Sequence, residues 1–140
     1  MNQANFKRRT KLYALEVMRV VEDLPRTRTT DVLGKQLIRC ATSVGANYRA
    51  ACRAKSPADF IAKMGIVEEE ADETLYWFEL LIEHGTLPRS QAIDSLMNEG
   101  NELLSMTIAS IRTARHNNPK SSAKPAPAMN PQSAIRNPQS

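Results

Sequence analysis

The sequence predicts an all-α fold: an antiparallel up-down-up-down four-helix bundle followed by a disordered C-terminal tail. Three observations carry this. Apolar residues recur at three- and four-residue steps through four successive segments. Pro25, Ser56-Pro57 and Gly85 with Pro88 separate those segments and leave only short connections between them. Aromatic content is 5% and only 5 of 140 residues are glycine, a composition that suits packed helices better than a sheet. The bundle is expected over residues 1–116 and the tail over 117–140, so the foldable part is one domain with a modest core.

The first helix is predicted over residues 7–23, with Tyr13, Val17, Val20, Val21 and Leu24 inward, Leu12, Leu15 and Met18 broadening that face, and Pro25 ending it. Its lead-in, Phe6-Lys7-Arg8-Arg9-Thr10-Lys11, is either a phosphate-touching segment or a solvated terminus. Thr29 or Thr30 can cap the second helix, Asp31 suits its first turn, and the pattern runs to about Arg53. Leu33, Leu37, Cys40, Val44, Asn47, Tyr48 and Ala51 make its core stripe. On the far side, Lys35, Arg39, Arg49 and Arg53 fall within about 80° of one another, with Thr42 and Ala46 as a small floor between them. Three readings compete for this basic stripe: a solvated face, ion pairing with an acidic helix, and phosphate binding.

The third helix is the most regular. Ser56 can N-cap it with Pro57 at the first helical position, and Asp59 completes a start resembling a capping box. Phe60, Met64, Val67, Ala71, Leu75, Phe78 and Ile82 form one stripe, and His84-Gly85 supply the stop. Ile66, Trp77 and Leu81 project to one side of that stripe with Glu70 among them, so a second bundle neighbour or another subunit is expected to cover this shoulder. A buried Glu70 needs a cation. The short link from helix two makes an antiparallel hairpin, so Arg39 or Arg49 is the expected partner of Glu70 or Glu73. The fourth helix is predicted from Arg89 or Ser90 to Arg115, with Ile93, Leu96, Met97, Leu103, Leu104, Thr107, Ile108 and Ile111 inward and Gly100 as an interruption costing ~1 kcal/mol. From Asn117 the chain turns to Pro, Ser, Ala, Asn and Gln and predicts disorder, and its repeat of Asn130-Pro131-Gln132-Ser133 as Asn137-Pro138-Gln139-Ser140 is assigned no role.

Charge is segregated under a net +4: residues 1–55 hold twelve Lys/Arg and four Asp/Glu, residues 56–85 one and eight, residues 86–140 six and three. No apolar run reaches the ~20 residues of a membrane span and no signal-peptide core opens the chain, so a cytoplasmic protein with no membrane partner is expected. Cys40 and Cys52 lie about 18 Å apart on one helix, too far to bridge, and read as small buried residues. Nothing resembles a catalytic constellation. His84 and His116 stand at helix ends without ligand-spaced partners, and the acidic run Glu68-Glu69-Glu70-Ala71-Asp72-Glu73 lacks the Glu-x-x-His of bundle di-metal sites. There is no phosphate-cradling glycine loop. No catalytic residue, metal ligand or cofactor is assigned, and an enzyme is not expected.

Gln36-Leu37 with Arg39, the run Thr42-Ser43-Val44-Gly45-Ala46-Asn47-Tyr48-Arg49, Ser56 with Asp59-Phe60-Ile61, and Glu70-Ala71-Asp72-Glu73-Thr74-Leu75-Tyr76-Trp77 resemble the four-helix bundle proteins of the 23S rRNA intervening-sequence family. The likeness continues through Glu102-Leu103-Leu104 and Ala109-Ser110-Ile111-Arg112-Thr113-Ala114-Arg115, covering residues 6–115. Ala50, where relatives usually carry Glu, and Glu69, where Lys is common, depart from it. The resemblance implies a non-enzymatic ring-like homopentamer. A similar bundle is the accessory variability protein of diversity-generating retroelements, so RNA, DNA and a reverse transcriptase become possible partners. Two functions are therefore expected in competition. One is nucleic-acid binding through Lys35, Arg39, Arg49 and Arg53; the other is an interaction module that uses Ile66, Glu70, Glu73, Trp77 and Leu81 as an interface without contacting nucleic acid.

Overall fold

The computed structural model describes residues 1–119, and among these every regular element is helical. The helices are α1 (Gln3–Glu22), α2 (Arg28–Ala51), α3 (Pro57–His84) and α4 (Gln91–Asn117). Consecutive helices pack side by side and α1 closes on α4, with neither diagonal pair in register contact. The bundle is antiparallel throughout. Phe6 faces Tyr48 with ring centroids 4.6 Å apart while Val21 faces Gly34, and Arg9 reaches Glu99 from α1 to α4. Most of the tail expected over 117–140 lies outside the described residues, including the repeat at 130–140, and Asn117 belongs to the last helix.

Local chemistry sets the boundaries. Ser56 Oγ accepts from the Asp59 backbone N–H at 3.0 Å, with Pro57 at the first helical position, and Gly85 closes α3 at φ 90°, the left-handed region that a side chain would oppose. Ser90 caps α4 in the same way, accepting from the Ile93 N–H. Two starts differ from expectation. The cap of α2 is Thr27 rather than Thr29 or Thr30, because Thr30 sits at the third helical position and returns a bond to the Thr27 N–H, completing a reciprocal capping box. Helix α1 begins at Gln3 because Asn2 caps it, which adds a turn before Lys7.

That extra turn matters for the core. Phe6 and Thr10 are fully buried with Tyr13 and Val17, one face at steps of four, three and four residues. Leu12, Leu15 and Met18, expected to broaden the inward face, point to solvent instead, Leu12 being 49% exposed. Cys40 is buried as expected, whereas Cys52 caps α2 and is half-buried.

Three glycines let α1 sit close. A Cβ at Gly34 would lie 3.1 Å from Val21 Cγ1, one at Gly45 3.0 Å from Thr10 Oγ1, and one at Gly100 2.5 Å from Tyr13 Oη. Gly100 is thus no mere interruption of α4; it is where the Tyr13 ring ends. The Tyr13 hydroxyl is buried with no hydrogen-bond partner, and burial raises its pKa. Gly100→Ala should therefore destabilise by about 1–3 kcal/mol through overpacking. Tyr13→Phe should be neutral or stabilising and should recover part of the Gly100→Ala loss in thermal melts. Equal melting of the wild type and Gly100→Ala would refute this packing account.

Candidate nucleic-acid interface

The basic stripe of α2 does not act as one unit. Arg39 turns across the hairpin to α3, donating to Glu70 Oε1 at 3.3 Å and to Glu73 Oε2 at 2.5 Å, while its Nε donates to Gln36 Oε1. Glu70 is only 9% exposed, so this guanidinium supplies the cation its burial requires. The pairing expected between α2 and α3 therefore forms within one chain, through Arg39 and not Arg49. Lys35 is exposed near the α1–α2 turn, beside a shallow recess that also includes Val21, Leu24 and Asp31. Arg49 and Arg53 are exposed at the other end of α2 and, among the described residues, make no ion pair.

The expected interface shoulder is also divided. Leu81 is completely buried inside the single chain and is removed from any surface role, because α3's last turns lie under the residues that follow the helix: Thr86 and Leu87 both donate backbone N–H groups to the Leu81 carbonyl. Trp77 is half-buried, and its Nε1 donates to Glu73 Oε2 at 3.2 Å, tying it to the Arg39 cluster. Ile66 remains 41% exposed, with Tyr76 at 38% on the same outer side of α3.

A second guanidinium cluster went unread in the sequence. Arg9 donates from Nε and Nη2 to both carboxylate oxygens of Glu99, at 2.9 and 2.8 Å, and from Nη2 also to Glu102, joining α1 to α4. Both carboxylates hold its proton firmly and raise its pKa, the bond to Glu99 most. The signal was present: Arg9 neighbours the Phe6–Thr10–Tyr13 face, so it lies at the edge of a buried stripe rather than in a free terminus.

Cys40, Glu70 and Glu73 place one sulfur and two carboxylate oxygens within 4.8 Å of one another. These donors are engaged otherwise. The Cys40 thiol donates to the Gln36 carbonyl at 2.8 Å, and Arg39 occupies both carboxylates, so a cation would have to displace a guanidinium. Burial, followed by the Glu73 charge, pushes the Cys40 thiol up to about 12. It stays protonated near neutral pH and is not a nucleophile.

The fold and these clusters define a class: a small four-helix bundle, locked by two inter-helix arginine–carboxylate clusters, with unneutralised cations at its surface. The family model described as 23S rRNA-intervening sequence protein matches residues 3–109, and the chain belongs to that family. A crystal structure from Bacteroides thetaiotaomicron, described as a protein with unknown function from the S23 ribosomal protein family, is 35% identical. It superposes with a TM-score of 0.73, covering 80% of this chain and 99% of that one. No curated protein matches the sequence.

Arg39→Ala should destabilise the fold by about 2 kcal/mol, less than for a fully buried pair because Arg39 is partly exposed, by leaving Glu70 and Glu73 without their cation. Lys at this position should recover only part of the loss, since it cannot engage both carboxylates through a planar fork. Chemical denaturation of the three proteins checks this; unchanged midpoints would show that the cluster is energetically idle.

Proposed function

We propose that this chain is a non-enzymatic, oligomeric bundle that binds the phosphate backbone of nucleic acid without sequence specificity through its α1–α2 surface. The observation that carries the reading is the exposure of Arg49 and Arg53 without a carboxylate partner among the described residues, while Arg39 and Arg9 are saturated by α3 and α4. Exposed cations on a rigid helix release counterions when they meet phosphate. Of the four expected residues, exposed Lys35, Arg49 and Arg53 remain available to phosphate, whereas Arg39 is committed to the fold. No described helix is long and apolar enough to cross a membrane.

A second reading keeps the bundle as an interaction module, for instance an accessory subunit of a retroelement reverse transcriptase. Exposed Ile66 and Tyr76 beside Glu69, Asp72 and Glu83 on the outer side of α3 favour it, since apolar residues set in an acidic surface suit a basic protein partner or a second copy.

The double reversal Arg49→Glu/Arg53→Glu should weaken binding to a generic RNA by about tenfold or more at low salt and flatten the log–log salt dependence by about one to two ions. Unchanged affinity and slope would reject phosphate contact at these residues. Light scattering on nuclease-treated protein should give an oligomer, with a mass near five subunits matching the family resemblance. A monomer at all concentrations would reject the oligomer.

A further inference from the structure

Antiparallel packing gathers the start of α1, the end of α2, the start of α3 and the end of α4 at one end of the bundle. Residues 1–11, 45–63 and 105–119, which form that end, hold four, four and two Lys/Arg and a single carboxylate, Asp59, which is paired with Lys63. The opposite end, residues 18–35 and 75–95, holds four and one Lys/Arg against three and three Asp/Glu. The chain is electrically polar along its axis, and antiparallel packing adds the polarity of α1 to that of α3 and α4, whose cations and carboxylates are segregated along each helix in the matching sense.

An open groove lies in the basic end. One lobe, about 500 Å³, runs between α1 and α4 over Tyr48, Phe60 and Met106; the second, about 390 Å³, continues past Cys52 toward Lys55, and Gln3, Phe60 and Ala114 line both. The groove is apolar with a polar rim, Gln3 and Thr113 standing at its edge. Lys7, Arg8, Arg49, Arg53, Arg112 and Arg115 surround this end, all exposed. Asn118, next to the last of the described residues, lines the second lobe.

We infer that this end of the bundle takes single-stranded nucleic acid, with the phosphates on the surrounding cations and an unpaired base inserted over Phe60. This deepens the phosphate-binding reading and rests on it. An apolar slot with an aromatic wall, lined at one end by Lys55 and set in the cationic end of the bundle, matches the two faces of an unstacked nucleotide, whose base is flat and apolar and whose backbone is anionic. A duplex offers only the second of these, because its bases are stacked away inside. Charge complementarity thus selects nucleic acid for this end of the bundle, and the groove selects the single strand.

Fluorescence anisotropy on the full chain tests this with strands of about 12 nucleotides, as RNA and as DNA, each compared with an abasic strand of equal phosphate number and with the corresponding duplex. The base-bearing strand should bind about tenfold tighter than the abasic strand at equal salt. Ala114→Leu, which fills the shared wall, and Phe60→Ala should each abolish that ratio while leaving abasic affinity in place; the abasic strand thereby controls for folding. Thr113→Leu, on the exposed rim, is the second filling variant should Phe60→Ala unfold. A ratio in both arms, or in one of them, supports base insertion, and a tighter RNA than DNA at equal ratio reports contact with the 2′-hydroxyl.

Equal affinity for base-bearing and abasic strands, with a steep salt dependence retained, overturns the groove and leaves the phosphate reading intact. No binding to any strand overturns both. A change in solution mass with Ala114→Leu assigns the groove to a second copy, and a base preference that emerges only after removal of residues 120–140 assigns it to the chain itself; either result overturns the inference.

Discussion

The close seating of α1 is the constraint on which the rest of the molecule depends. Gly100 on α4 stands where a methyl group would collide with Tyr13 of α1, and a Cβ at Gly34 or Gly45 on α2 would press tightly against Val21 or Thr10. Their absent side chains let Val21, Thr10 and Tyr13 reach the neighbouring helices, and the core then closes over Phe6 and Val17. Cores are packed to crystal-like density, so a gain of one methyl at such a crossing is felt. The unpartnered Tyr13 hydroxyl shows the same pressure from the other side: the ring is worth burying even though its oxygen finds nothing to bond.

Two guanidiniums hold the seams. Arg39 ties α2 to Glu70 and Glu73 of α3, and Arg9 ties α1 to Glu99 and Glu102 of α4. Each spends one cation on two carboxylates, so α3 and α4 lose much of their exposed acidity near these clusters. Each cluster also ties its two helices together at one height along the bundle. Antiparallel packing across short connections stacks the termini that carry the remaining Lys and Arg at one end. Structural ion pairing and surface polarity are therefore consequences of one arrangement.

Most of the fold was legible in the sequence. The Ser56-Pro57 start and Gly85 stop of α3 are local chemistry, and helical periodicity identified four segments that became four helices. The Arg39–Glu70 pairing was legible in kind, since a carboxylate on a buried shoulder requires a cation and a short hairpin brings one across. Less legible was the first helix. Its basic lead-in masked the fact that Phe6 and Thr10 continue the Tyr13–Val17 face, and apolar Leu12, Leu15 and Met18 matched an inward pattern while facing solvent. A helix with apolar residues all round cannot reveal by period alone which side has neighbours.

What the sequence by itself determined is therefore what depends on residues within a turn or two: caps, stops, the number of helices and the acidity of α3. What only the tertiary structure decided is which distant residues share a height along the bundle. That height set the service of Arg9 to α4, the need for glycine opposite Tyr13, and the gathering of cations from three helix ends at one end of the bundle. The physical reason is that burial and net field depend on neighbours brought together across helices, and one-dimensional periodicity carries the face of a helix but not its axial register against another.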